Sequence, residues 1–280
     1  MPTVDVEVIV TARVFMPREY VFRGSGPRPL QFARLIGAAV TGRGEKIEGP
    51  CLAYIVRHPD AGTILIDTGM HPDVATDLRK DFGTAMSVVF RGIRPAGEAY
   101  DEQLRRRDVD PDKVDRVVMT HLHVDHTSGM RLLPNATFTI TRDEWKAAHA
   151  RRSADKGFIA HHLPPEDRVD LVDFEGDDRT IDLLGDGSIT LMSTPGHTPG
   201  HMSVLLKTTG DRDVLIVGDA AYTLRSIETQ TLPLLTAGDE QYAASLKELK
   251  DFSDSHPDAV IVPTHDPAAW ERVRDLAPAG

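Results

Sequence analysis

The chain has one cysteine, Cys51, in 280 residues, so it can form no internal disulfide and reads as a protein of a reducing, cytoplasmic setting. Cys51 lies in the apolar run Cys-Leu-Ala-Tyr-Ile-Val and is expected as a buried strand residue rather than a nucleophile. No apolar stretch approaches the roughly 18 residues that a membrane span requires. The opening Met-Pro-Thr-Val-Asp lacks the basic region and apolar stretch of a secretory signal, so none is expected. Positive charge is also short: 32 Lys and Arg face 43 Asp and Glu, a formal net charge of -11. Nucleic acid is thereby an unsuitable partner, because its binding rests on clustered cations that neutralise phosphates. A neutral or lipophilic small molecule is easier to accommodate.

What is present is enough apolar residue, 40% of the chain, to bury a large core, and one α/β domain over residues 1–280 is expected. Strands are expected at 4–15, 51–57, 63–67, 114–119, 136–141, 180–184, 188–193, 202–207, 214–217 and 259–262. Of these, 51–57 with 63–67 and 202–207 with 214–217 should form hairpins. Helices are expected at about 72–82, 98–108 and 143–152, the last capped by Thr141 or Asp143. A further helix is marked by Tyr242, Leu246, Leu249 and Phe252 on one face behind Asp239 as cap. Strand runs followed by helices in both halves suit two packed sheets covered by helices. Residues 16–50, rich in Gly, Pro and Arg, read as a surface excursion with a short helix at Leu30–Val40, serving as a lid or a dimer contact.

The most informative segment is Thr120-His121-Leu-His123-Val-Asp125-His126-Thr-Ser-Gly129. Imidazole and carboxylate are the usual ligands of zinc and similar ions, and four such side chains follow one strand here. His121 and His123 can point the same way if strand geometry persists, whereas Asp125 and His126 need a turn to converge nearby, which suggests two adjacent metals. Three later strands also end on a ligand-type residue, at His197, Asp219 and His265. Strand ends gathered at one edge of a sandwich would bring all these groups together. A metal pair of this kind shares and activates a water and stabilises the oxyanion of an acyl transfer, so no Ser or Cys nucleophile is needed.

With these residues in view, the chain resembles the metallo-β-lactamase superfamily, whose HxHxDH pattern is matched at His121, His123, Asp125 and His126. The resemblance runs from about residue 50 to 267 and implies an αββα sandwich of two mixed sheets flanked by helices. It implies that His121, His123 and His197 hold one metal, that Asp125, His126 and His265 hold the second, and that Asp219 bridges. It also implies that Asp67, in Ile64-Leu-Ile-Asp-Thr-Gly69, orients a ligand. Zinc is the expected ion, although Mn, Fe or Co accept the same donors. Within the superfamily, Asp219-Ala-Ala-Tyr222-Thr223 and Thr194-Pro-Gly-His197-Thr-Pro-Gly-His201 resemble the N-acyl-homoserine lactonases. That likeness implies a quorum-quenching lactone hydrolase in which Tyr222 approaches the substrate carbonyl or ring oxygen, and it is compatible with a homodimer. Asp125 is a second catalytic candidate, as carrier of a proton to the leaving oxygen.

Other readings stay open on the sequence. A pyridoxolactonase-like or glyoxalase II-like hydrolase would use the same metals, but a glutathione thioester asks for a basic patch that is not evident. A nuclease is disfavoured by the acidic balance, an oxygen-reducing diiron protein by His123, and a non-enzymatic binding protein by retention of every ligand. Val124 and the Pro263-Thr264 pair depart from common lactonase residues and leave acyl-chain preference open. Met70, Met86, Val89, Phe90 and Phe158 are candidate pocket walls. His201 is expected to support the site, and His58, His71, His149, His161, His162 and His256 are expected at the surface.

Overall fold

The computed structural model describes residues 1–176, 178–209 and 212–274; the domain expected over 1–280 therefore extends beyond the described residues. The chain begins with β1 (Asp5–Pro17), the short α1 (Arg18–Val21) and α2 (Arg28–Thr41), then β2 (Lys46–His58) and β3 (Gly62–Ile66). Next come α3 (Pro72–Thr76), α4 (Leu78–Val89), β4 (Arg94–Pro95), α5 (Tyr100–Arg105) and β5 (Arg116–Val118). After them lie α6 (Val124–Thr127), β6 (Thr137–Thr141), α7 (Arg142–Ala148) and β7 (Val169–Val172). The second half supplies β8 (Thr180–Asp182), β9 (Ile189–Ser193), β10 (Met202–Leu206), β11 (Val214–Gly218), α8 (Leu224–Thr229), α9 (Asp239–Ser255), β12 (Val260–Pro263) and α10 (Glu271–Arg274).

Two sheets result, ordered β4-β1-β2-β3-β5-β6-β7 and β12-β11-β10-β9-β8. Both are mixed: β3, β5, β6 and β7 run parallel, as do β11 and β12, while the hairpins β2–β3 and β10–β11 are antiparallel. Side chains alternate across a strand, so each sheet has two faces to cover. Leu52, Tyr54 and Val56 of β2 meet Val204, Val214, Ile216 and Val260 of the other sheet in the central core. Ala53 and Ile55 point outward, under Tyr100 and Leu104 of α5 and Ala148 of α7. On the far side Leu215, Val217 and Ile261 are covered by Ile227 of α8 and by Tyr242, Leu246 and Leu249 of α9. Helices on both outer faces complete the αββα sandwich expected from the sequence.

Some boundaries differ from expectation. β1 and β2 pair from Asp5 with Arg57 to Pro17 with Lys46, so residues 16–17 and 46–50 belong to the sheet and the excursion shrinks to 18–45. β4 and β7 are not evident in the sequence, because two and four residues are too few to show a period. The expected cap Asp239 is the first residue of α9, preceded by Gly238, and its carboxylate is instead gripped by Arg23 at 2.6 and 2.8 Å and by Arg28. A bidentate pair of this kind holds its carboxyl well below the usual range, chiefly through Arg23 and Thr236. Together with Arg23 N to Leu232 O and Leu234 N to Tyr20 O, it fastens the excursion to the segment before α9. Among the described residues, no helix is long and apolar enough to cross a membrane.

Candidate metal centre

The expected ligands all lie just beyond strand ends. His121 follows β5, His197 follows β9, Asp219 follows β11 and His265 follows β12. The β5 ladder stops at Val118, so strand geometry does not carry His121 and His123; His123 instead precedes the one-turn helix α6, which supplies the turn that Asp125 and His126 need. Met202 N donates to Thr120 O at 2.9 Å and joins the two sheets beside the ligands.

The side chains converge as two groups, His121 with His123 and His197, and Asp125 with His126, Asp219 and His265. Asp219 reaches both. Its Oδ2 is 3.4 Å from His197 Nε2, 3.4 Å from His265 Nε2 and 4.0 Å from His121 Nε2, and its Oδ1 is 3.5 Å from His126 Nε2. Asp125 Oδ2 is 3.2 Å from His265 Nε2 and 3.8 Å from His126 Nε2. His197 Nε2 and His123 Nδ1 face each other at 2.9 Å.

Whether cations fit can be judged from the polar atoms. His121 Nε2, His126 Nε2, His197 Nδ1 and Asp219 Oδ1 are buried without a hydrogen-bond partner, a concentration of unmet groups that costs free energy unless something charged sits among them. The opposite nitrogens are engaged: His126 Nδ1 lies 2.7 Å from Asp67 Oδ2, and His265 Nδ1 lies 2.8 Å from the carbonyl of Pro50. Each arrangement favours the Nδ1–H tautomer and turns the Nε2 lone pair inward, as metal-bound histidines require. The donor set of neutral imidazoles and carboxylates therefore fits two divalent ions.

Charges follow from burial and neighbours. Desolvation holds His121 and His197 well below the ordinary histidine range. Burial opposes a charge on His126 and His265 too, but the surrounding aspartates win, raising His126 well above its usual value and His265 to about 10. Burial likewise penalises the Asp219 carboxylate, yet His265, His126 and His197 keep it well below the usual range. Protons here occupy places that cations would take, so metal uptake should release them.

The supporting residues are as specific as the ligands. Asp67, with φ 55° in the left-handed region, accepts from Thr120 N and Thr120 Oγ1, each at 2.8 Å, besides holding His126. His201 accepts from Asp219 N at 3.0 Å through Nε2, and its Nδ1 contacts Thr194 Oγ1 at 2.9 Å, the supporting role expected for it. A Cβ on Gly218, whose φ is 55°, would stand 2.7 Å from that Nε2. Tyr242 of α9 donates to Asp219 O at 3.1 Å. One support escaped the sequence: buried Glu144 accepts from Leu122 N at 2.9 Å and Gly200 N at 3.1 Å, tying the loop of His121 to that of His197. Thr141-x-x-Glu144 marks a helix start, and nothing local reveals these distant amides.

Tyr222 is buried, its ring 5.6 Å from that of His197 and 5.5 Å from that of His265. Burial, reinforced by the nearby Tyr20 and Asp219, pushes its phenol well above the usual value, so it stays neutral and can donate. Of the expected walls, Met70 and Phe90 pack with Tyr222 and Phe158 lies 5.1 Å from the His123 ring, whereas Met86 and Val89 pack on Leu35 and Leu234 instead. His149, His161 and His256 are exposed as expected and His71 is half-buried. His58 and His162 are buried, contrary to expectation, because each finds a polar partner: Asp186 at 2.9 Å for His58, Thr127 at 3.2 Å for His162.

Known proteins resemble the chain in the same region. The sequence profile of the metallo-beta-lactamase superfamily matches residues 47–265. The chain is 34% identical over 231 residues to the N-acyl homoserine lactonase AttM of Agrobacterium fabrum, covering 82% of this chain and 86% of that protein. It is 29% identical over 209 residues to the N-acyl homoserine lactonase AiiA of Bacillus thuringiensis subsp. kurstaki, covering 74% and 78%. Among solved structures, an N-acyl homoserine lactone hydrolase with N-hexanoyl-L-homoserine at its catalytic metal center superposes with a TM-score of 0.73 at 24% identity, over 96% of both chains. AidC, described as a dizinc quorum-quenching lactonase, superposes with a TM-score of 0.63 at 15% identity, over 95% of this chain and 89% of that one.

Proposed function

We infer the reaction from one premise: this chain belongs to the metallo-beta-lactamase superfamily and, within it, to the family of the N-acyl homoserine lactonases. It opens the lactone ring of N-acyl homoserine lactones by adding water across the ester bond, a quorum-quenching activity. The observation that carries this reading is Asp219, whose two carboxylate oxygens reach both histidine groups while Tyr222 stands against His197 and His265.

In this reading His121, His123 and His197 hold one ion, Asp125, His126 and His265 the other, and Asp219 serves both. We assign zinc to both places from the nitrogen and oxygen donors, although Mn, Fe or Co accept the same set. Ions bound there supply a nucleophile from water at neutral pH and draw charge from the ester carbonyl. Tyr222, kept neutral by burial, donates its hydroxyl proton in a hydrogen bond to the carbonyl or ring oxygen as negative charge grows on it. Asp125 carries the proton to the departing ring oxygen. The ester C–O bond breaks, and the products are an alcohol and a carboxylic acid within one molecule.

One domain over 1–280 is the unit we propose, with residues 18–45 as lid or dimer contact. Exposed Leu30, Phe32 and Val40 on α2 support a homodimer there, and the lone buried Cys51 supports a cytoplasmic setting.

A panel of substrates tests the assignment. Metal-loaded protein should release one proton per lactone opened, followed in a pH-stat, from N-acyl homoserine lactones of several chain lengths. Turnover of S-lactoylglutathione or a pyridoxolactone with none of these lactones would move the protein to another hydrolase of the same fold.

A further inference from the structure

A second cluster of ligand-type side chains lies outside the site just described. Asp81 on α4 is 6% exposed, and its Oδ1 is buried without a hydrogen bond of acceptable geometry. Two imidazole nitrogens nevertheless face that oxygen, His161 Nε2 at 3.0 Å and His162 Nε2 at 3.5 Å. The two rings lie 4.6 Å apart, nearly perpendicular at 78°.

The tautomer of His162 decides what faces that oxygen. Thr127 Oγ1 donates to the carbonyl of His123 at 3.0 Å, so the hydroxyl oxygen must accept from His162 Nδ1, 3.2 Å away. Nδ1 then carries the hydrogen, and Nε2 presents a lone pair to a carboxylate oxygen. Lone pair against carboxylate is repulsive, and a cation between them would turn the opposition into two bonds, with His161 Nε2 within reach as a third donor. Tetrahedral zinc with bonds of about 2.0–2.1 Å keeps its ligand atoms roughly 3.3 Å apart, which the 3.0 and 3.5 Å separations bracket. The hydrogen bond from His162 Nδ1 to Thr127 is the outer contact that a ligating histidine needs.

We propose that Asp81, His161 and His162 form a separate divalent-cation site, which clips α4 to the 160–162 segment. Arg131 and Lys80 make it weaker than the main centre, and Arg131 is partly neutralised by Asp73 at 2.9 Å. The site has a structural purpose: α4 carries Phe82 beside Asp81 and contains a break at Gly83, with φ 67° and ψ 177°. A cation held there would fix the half of α4 that approaches Tyr222. Through Thr127 it also abuts the carbonyl of His123.

The test is a metal count. Untagged holoprotein is dialysed to equilibrium against micromolar free zinc and its zinc is measured by atomic emission, beside the same protein carrying His161→Gln or Asp81→Asn. Wild type should hold one equivalent more than either variant, three against two. Only the difference is read, so the content of the main centre does not affect the conclusion. Equal zinc in wild type and in the His161→Gln protein overturns the proposal. His161 is exposed, so that variant should keep its fold even if Asp81→Asn does not.

Discussion

The ligand cluster and the wall formed by α1, α2 and α4 face each other across Tyr222 and are built on opposite principles. On the ligand side, the expected metal-holding groups leave rigid strand ends, and their backbones or second nitrogens are fixed by Asp67, Glu144, His201, Tyr242 and Pro50. On the wall side, rings lean on rings: Tyr20 lies 5.5 Å from Phe90 and 5.8 Å from Tyr222, and Phe82 lies 4.9 Å from Phe90. Leu30, Phe32 and Val40 of α2 are exposed, and α4 breaks at Gly83. Directional bonds specify one geometry, whereas apolar contact tolerates several. The difference teaches that the ligand side is held in one arrangement while the wall can adjust, a division along which chemistry and substrate fit would separate.

If that division is sound, changes on the ligand side should cost far more than changes on the wall. Asp219→Ala should have the largest effect, because it removes the carboxylate reaching both groups and leaves His265 without its main counter-charge. Lactone turnover should fall on the order of a thousandfold or more, about 4 kcal/mol in the barrier, with loss of bound metal. Steady-state rates and metal analysis on the same sample decide it; full metal content with wild-type turnover would show that Asp219 joins nothing. Tyr222→Phe sits at the boundary between the regions. It should lower kcat by about ten- to a hundredfold, about 1.4 to 2.8 kcal/mol, with metal content intact. Unchanged kinetics would move Tyr222 from the chemistry to the wall.

Glu144 allows the ligand side to be probed through pH. Burial raises its carboxyl from 4.5 to about 7, although Leu122 N and Gly200 N pull the other way. Between those values the folded protein keeps a proton that the unfolded chain has released, so stability falls as pH rises from 4.5 to about 7 and levels off above. Glu144→Gln cannot ionise and should lack that slope. Thermal melts of metal-loaded protein at pH 5 and 7.5 should show the variant gaining on wild type with rising pH. The expected gain is about 2 kcal/mol, because roughly two pH units of the window are crossed, or roughly 4–8 °C for a chain of this size. Parallel behaviour of the two proteins would place the proton elsewhere.

The two regions were unequally legible in the sequence. The HxHxDH segment is local, and His197, Asp219 and His265 each follow an apolar strand, so residue type and position name them without coordinates. The central strands of both sheets are legible for the same reason, since β2 and β11 repeat apolar residues along their length, whereas the edge strands β4 and β7 are too short to show a pattern. Glu144 was not, because its partners are backbone amides 22 and 56 positions away and an amide leaves no mark in a sequence. His58 and His162 were misplaced at the surface because their partners Asp186 and Thr127 are 128 and 35 positions distant. Asp239 before an apolar helix face reads as a cap, but Arg23, 216 positions earlier, takes its carboxylate. Sequence shows what a residue can do; which partner claims it depends on folding.

The smallest expected effect gives the sharpest test of the division. Phe82 is half-buried on α4 and is linked to the site by a row of rings, Phe90, then Tyr20, then Tyr222. Phe82→Ala removes apolar contact without removing a hydrogen bond, so nothing polar is left unpaired and the ligand side should not register the change. If the wall sets only substrate fit, KM for a long-chain lactone should rise about threefold, ~0.7 kcal/mol, while kcat stays within about twofold. A short-chain lactone, which reaches less of the wall, should show still less change. A fall in kcat equal to the rise in KM, for short and long chains alike, would mean that Phe82 acts through Tyr222 on the transition state. In that case the aromatic row belongs to the chemistry, and the line between a fixed side and an adjustable side would have to be redrawn behind α4.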